Sequence, residues 1–323
     1  MLVAPEIRSE PRPVVVSRPE SRPSWRSWRL GVPFVLVHLS CIAVVFVGWS
    51  PFALAVAGFT YVVRMFGITG FYHRYFCHRS FTLSRRAQFL AACLGASAAQ
   101  RGPLWWAAHH RQHHRAADRP GDPHSPVQDT LLYSHLLWMF APENNATDTE
   151  LVRDLAVYPE LRLLDRFHHV VPALTALFVF GAGVLAGHLW PGLHTSGPQL
   201  LVWAFSISTV LVYHATFAVN SIGHRIGRRP FETRDDSRNN WAVALVTLGE
   251  GWHNNHHRSP GSARAGFARW EFDPTWLTLR ALSVARITGG LRPVPAGVLS
   301  AARARRPGRR AAKRAGAVAE STP

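Results

Sequence analysis

Four short segments hold ten of the eighteen histidines in this 323-residue chain. They are His73-Arg-Tyr-Phe-Cys-His78, His109-His110-Arg-Gln-His113-His114, Asn220-Ser-Ile-Gly-His224 and His253-Asn-Asn-His256-His257. Neutral imidazole is the commonest side-chain metal ligand, and the spacing suits that role. Residues i, i+3 and i+4 of a helix share one face. His110, His113 and His114 therefore project toward one spot, and His253, His256 and His257 toward another. His73 and His78 lie about 140° apart on an ideal α-helix. They share a site only if the helix ends between them; otherwise each serves a different metal. Nine candidate imidazoles exceed one tetrahedral shell, which disfavours a lone zinc. The Glu-x-x-His pairs of a carboxylate-bridged bundle are missing. Imidazole suits iron, zinc and copper alike, so spacing leaves the metal open. Cys77, between the first two histidines, reads as a small buried filler, with thiolate ligation as the alternative.

Such clusters need rigid elements behind them, and the apolar runs supply candidates. Residues 30–49 carry no formal charge and match the roughly 20 residues that cross a hydrocarbon core. They are too long for a signal-peptide core. Residues 51–72, broken only by Arg64, form a second span; 170–190 and 199–219 form a third and fourth. The shorter runs 87–99, 131–141 and 241–252 suit interfacial, re-entrant or buried cap helices. Arginines crowd the head, the 73–169 segment and the C-terminal third, whereas 191–198 has no charge. The positive-inside rule puts the three basic regions, both termini and every histidine cluster in the cytoplasm. The expectation is an all-α multi-pass protein of an inner or plasma membrane.

The formal charge is +17, yet 47% of residues are hydrophobic. Much of the excess charge sits in a head at 1–29 and a tail at 291–323, which read as disordered basic arms around a membrane domain at 30–290. Beside membrane spans such arms attract anionic lipid headgroups. Nothing suggests a basic face on a folded nucleic-acid-binding module. Three cysteines without a CxxC pair give no disulfide framework.

From about residue 30 to 285 the chain resembles the membrane-bound fatty-acid desaturases of the stearoyl-CoA (delta-9) type, especially bacterial members. The resemblance is carried by GITGFYHRYFCHRSF (67–81), PLWWAAHHRQHHRAAD (103–118), NSIGH (220–224) and SRNNWAVALVTLGEGWHNNHHRSP (237–260). It implies four transmembrane helices under a cytosolic helical cap that holds two irons. The ligands it implies are His73, His78, His110, His113, His114, His224, His253, His256 and His257, with Asn220 holding a metal-bound water. Animal and yeast enzymes carry Asp where this chain has His109, so His109 is expected beside the ligands rather than among them. His124 and His135 are expected in the same supporting role. Glu250, Asp118 and Asp122 are available either to the Nδ1–H groups of ligands or as solvated carboxylates. Trp105, Trp106, Trp241 and Trp252 flank the boxes, either walling a narrow acyl tunnel or simply packing.

The implied activity is O₂-dependent insertion of a cis double bond, at delta-9, into an acyl chain carried by CoA, carrier protein or lipid. Electrons must come from a separate ferredoxin- or cytochrome-type carrier and an NAD(P)H reductase. No histidine follows His257 to ligate haem, and no ferredoxin cysteine pattern or GxGxxG occurs. A fatty-acyl or alkyl hydroxylase on the same scaffold is the alternative. A membrane metal transporter is the remote one, since Arg64, His38, His188 and His214 trace no path through the spans.

Overall fold

The computed structural model describes residues 25 to 304, so the outer parts of both expected basic arms lie outside the described residues. Within them the fold is mostly helical, with one two-stranded antiparallel ribbon pairing Thr82 with Gly289 and Leu83 with Thr288. Three helices are long and apolar enough to cross a membrane: Pro51–Cys77, Val170–Leu189 and Pro191–His224. The first expected span follows helix Trp25–Ser40, a 3-10 turn at Cys41–Ala43 and helix Val44–Val47, and ends at Gly48 with φ 62°.

Ser50 caps the second helix, accepting a hydrogen bond from Ala53 N, and Pro51 occupies its first turn. That helix then widens into a π-helix at Gly67–Cys77, which is buried throughout. Two glycines make the widened segment possible to pack. A Cβ on Gly67 would lie 2.8 Å from Leu94 O, and one on Gly95 would lie 2.1 Å from the Tyr72 ring. Helix Arg85–Ala96 therefore lies directly against the π-segment.

Arg64, the one charge in the second span, turns inward. Its guanidinium donates to the Thr209 hydroxyl and to the carbonyls of Ala204 and Phe205. Those carbonyls belong to a second π-helical stretch, Leu201–Ile207, where wider turns leave backbone acceptors available. A lone arginine in a span is thus satisfied by protein.

The ordered chain also runs past residue 290, against the expectation of a disordered tail from 291. Helix Ala296–Ala304 follows Val294, which packs in a small buried cluster with Phe231 and Phe267. The apolar spacing of Val294, Val298 and Leu299 supplies the contact that anchors this stretch.

Candidate metal centre

The clusters converge from four elements. His73 and His78 come from the π-segment and its end; His110, His113 and His114 lie on helix Pro103–Ala116. His224 closes the last spanning helix, and His253, His256 and His257 form the short helix His253–Arg258. Their ring nitrogens fall into two groups, each with all members within 4.8 Å of one another. One contains His73, His78, His110, His114 and His256; the other contains His113, His224, His253 and His257.

His73 and His78 thus reach one group: His73 lies inside the π-segment, which ends at Cys77, and His78 caps it. The sequence expectation assumed α-helical turns. In a π-helix the hydrogen bond runs from i to i+5, so residues five apart stack on nearly one face. The Nε2 of His73 lies 3.1 Å from that of His256, and the Nε2 of His78 lies 2.8 Å from that of His110.

Whether a metal fits can be judged from protons and lone pairs. Nδ1 of His113 lies 3.0 Å from Asp122, of His224 2.7 Å from Asp118, of His257 2.9 Å from Asp235 and of His73 2.6 Å from Glu250. A carboxylate at Nδ1 places the proton there and leaves Nε2 as a bare lone pair. Yet the Nε2 atoms of His113 and His257 face each other at 3.4 Å. Two lone pairs at that distance repel unless a cation lies between them. The other Nε2 pairs are 2.8 to 3.1 Å apart. With imidazole–metal bonds near 2.1 Å, ligands at a right angle are about 3.0 Å apart. Five donors in one group exceed a tetrahedral shell, as the sequence spacing suggested.

Electrostatics keep six of the donors neutral. Burial, reinforced by neighbouring imidazoles, pushes the pKa of His78, His110, His114, His253, His256 and His257 well below the ordinary value. Burial would also lower His113, but the Asp122 carboxylate outweighs it and raises the ring. Glu250 shows the opposite balance: burial raises it, while His73 and Arg74 pull it down to about 2. Glu250 is therefore anionic and these six rings neutral at pH 7.

An apolar cavity of about 310 Å³ opens beside the clusters, lined by Phe34, Trp105, Trp106, His110, Trp138, Tyr213, Phe217 and Asn220 among others. A smaller one of about 30 Å³ lies between Asn220, Trp106, Thr216 and the rings of His73, His110, His113 and His253. One water needs about 10–15 Å³ by this measure, so a small molecule fits against both groups. Trp106 stacks on His110, and its Nε1–H donates 3.4 Å to Gln100, whose amide donates 3.0 Å to Thr216. Sequence reasoning named neither Gln100 nor Thr216, because isolated polar residues in apolar runs carry no spacing signal.

A family description, "Fatty acid desaturase", matches residues 48–284 and so encloses all nine ligand candidates. The chain belongs to the fatty acid desaturase family. The sn-2 palmitoyl-lipid 9-desaturase of Nostoc sp. is 36% identical to this desaturase over 264 residues, covering 79% of this chain and 86% of the relative. The sn-1 stearoyl-lipid 9-desaturase of Synechocystis sp. is 32% identical over 282 residues, covering 86% and 83%. An acyl-CoA 5-desaturase of Anemone leveillei is 36% identical over 252 residues, covering 76% and 73%. The desaturase is accordingly a metal-centred oxidoreductase of fatty-acid metabolism.

The remaining expected site residues divide. His124 stacks on His113 with ring centroids 4.4 Å apart, beside the four-histidine group. His109 does not reach a ligand: its Nδ1 bonds Trp105 O at 2.9 Å, and its ring packs on Trp105 and Trp138. One residue before His110 on the helix, it faces the large cavity instead. His135 also lies away from the metal groups, bonded to the Ser221 hydroxyl at 2.9 Å and to His214 at 3.1 Å. Trp105 and Trp106 line the cavity, but Trp241 and Trp252 do not. Trp241 starts a short helix whose exposed apolar face includes Leu245, and the Trp252 indole donates to Phe272 O. Cys77 is buried and donates its thiol to Tyr72 O, as a filler would. Two contributors had no sequence signal: Asp235, in a loop without periodicity, and Arg74, hidden between the first-box histidines.

Proposed function

We propose that this desaturase uses two irons, held by the nine histidines, to introduce a cis double bond at delta-9 of a saturated acyl chain. The observation that carries the reading is the convergence of nine imidazoles in two groups, with His110 also lining an apolar cavity. An unactivated methylene has no acidic proton, so side-chain acid–base chemistry cannot desaturate it. Iron would supply the activation of dioxygen that removes its two hydrogens.

The protein's own work is placement and exclusion of water. Carboxylates at Nδ1 orient four of the rings. Trp105, Trp106, Phe217 and Tyr213 wall the acyl cavity, and the Gln100–Thr216 pair marks where it passes the metal groups. Asn220, lining both cavities, is placed to hold a water beside the metals. A 9-desaturase activity in the Nostoc and Synechocystis relatives supports the delta-9 position. The acyl chain is linked to CoA, carrier protein or lipid. Two electrons arrive from a ferredoxin- or cytochrome-type carrier served by an NAD(P)H reductase. The arginine distribution supports four spans, counting 30–49, in a cell membrane with both termini and the metal cap cytoplasmic. It also supports solvated, lipid-attracted arms at the two ends.

The test is gas chromatography of lipids from cells expressing the protein. New cis-monoenes support the proposal, and double-bond location by derivatisation checks delta-9. Hydroxy-acids without new alkenes would replace it with a hydroxylase on the same scaffold.

A further inference from the structure

The carboxylates behind the two histidine groups are unevenly distributed. Three of the four rings in the smaller group have one: His113 has Asp122, His224 has Asp118 and His257 has Asp235. Asp118 is held by the Ser125 hydroxyl and Asp236 N, and Asp235 by the Thr233 hydroxyl and Ser237 N. Asp122 accepts from Asp118 N and His124 N. The donors to Asp118 and Asp235 are neutral and orient those carboxylates without cancelling their charge.

The five-histidine group has one such carboxylate, Glu250 on His73. Its other oxygen accepts from Arg74 Nε at 3.1 Å and Nη2 at 2.9 Å. The same guanidinium grips Asp273 at 3.0 and 3.1 Å and donates to Ala263 O at 2.8 Å. Asp273 in turn caps helix Pro274–Val284 and accepts from Ala265 N and Gly266 N, so Arg74 is held firmly. The Glu250–Arg74–Asp273 set leaves one net negative charge behind five rings, whereas Asp118 and Asp235 both keep theirs behind four.

We propose that the two groups bind metal unequally, the four-histidine group more tightly, with Arg74 as the positioning residue that weakens Glu250's pull on the other. A carboxylate on Nδ1 makes imidazole a stronger donor, and each uncancelled charge also attracts a dication in a poorly screened interior. The fifth imidazole favours the other group but adds no charge. The inference rests on the two-metal reading above and assigns an order to its sites.

Full-length protein in detergent, stripped with a chelator, is titrated with Co²⁺ while its d–d absorption is followed. Two equivalents should bind in two separated steps. His78→Ala should leave the tight step, and His257→Ala the weak one. Asp235→Asn should weaken the tight step about 10–100-fold, the range for losing a partner behind a ligand, and leave the weak step in place. Glu250→Gln should shift only the weak step. Two equal steps in the unaltered protein, or a weak step moved by Asp235→Asn, overturn the inference alone. Binding of fewer than two equivalents sinks the two-metal reading as well.

Discussion

Arg74 offers the sharpest test of how the metal cap holds together without metal. Its guanidinium is buried between two carboxylates whose side chains are 6% and 2% exposed, Glu250 and Asp273. Arg74→Met keeps most of the volume but strands both anions and leaves Ala263 O without its donor. Breaking a buried ion pair from one side costs about 3–5 kcal/mol, and an unmet carbonyl adds about 1 kcal/mol or more. Set against a total stability of about 5–15 kcal/mol, the loss is large. At roughly 2–4 °C per kcal/mol for a domain of this size, the unfolding midpoint should fall by roughly 10 °C or more. The measurement is a thermal melt of chelator-treated protein in detergent, so that metal linkage does not mask the effect. Arg74→Met/Asp273→Asn should lose less than the two single changes together, because the pair shares one network. An Arg74→Met midpoint equal to the parent's would refute the reasoning, since two buried carboxylates cannot be stranded at no cost.

His256→Ala should abolish desaturation in whole cells while the protein remains in the membrane fraction, because one ring of the five-donor group is lost. Gly95→Ala places a methyl 2.1 Å from the Tyr72 ring; overpacking of about 1–3 kcal/mol should outweigh a helix-propensity gain of about 1 kcal/mol and lower the melting midpoint. The depressed pKa values of Asp118, Asp122, Asp235 and Glu250 fix the sign of an acid effect. Carboxylates lowered in the folded state stabilise it fully above their unfolded values, about pH 4. That contribution fades as pH falls toward 2 and the folded carboxylates protonate. The melting midpoint of metal-free protein should therefore drop between about pH 5 and 2, and less steeply in Glu250→Gln.

Much of the centre was legible because helical spacing is a strong code. The triads at His110 and His253 needed only the i, i+3, i+4 rule, and the structure places each on one helix. Asp118, Asp122 and Glu250 were visible as available carboxylates, but their partners were not, since those contacts join residues up to 176 positions apart. Asp235 was invisible because a loop has no period to read. His109 was misplaced for a related reason. Proximity in sequence to a ligand says nothing about which side of a helix a ring leaves. The apolar runs gave the long helices, the first of them ended by Gly48.

The π-segment links these observations. An α-helical turn would have separated His73 from His78 and left the first box serving two sites. The π-segment and its end at His78 bring both rings to one group while Arg74, the residue after His73, reaches Glu250 and Asp273. Glu250 therefore touches consecutive residues of one helix, a ring that faces the metal group and a guanidinium that does not. π-Helices are rare because their hydrogen-bond geometry is uncommon and longer runs are hard to sustain. Eleven residues of it persist here because Gly67 and Gly95 admit close packing and because two carboxylates hold Arg74 in place. On this account the spacing of five between the first two histidines is a consequence of helix geometry. Deleting one residue between them would both misdirect a ligand and expel Arg74 from its pocket.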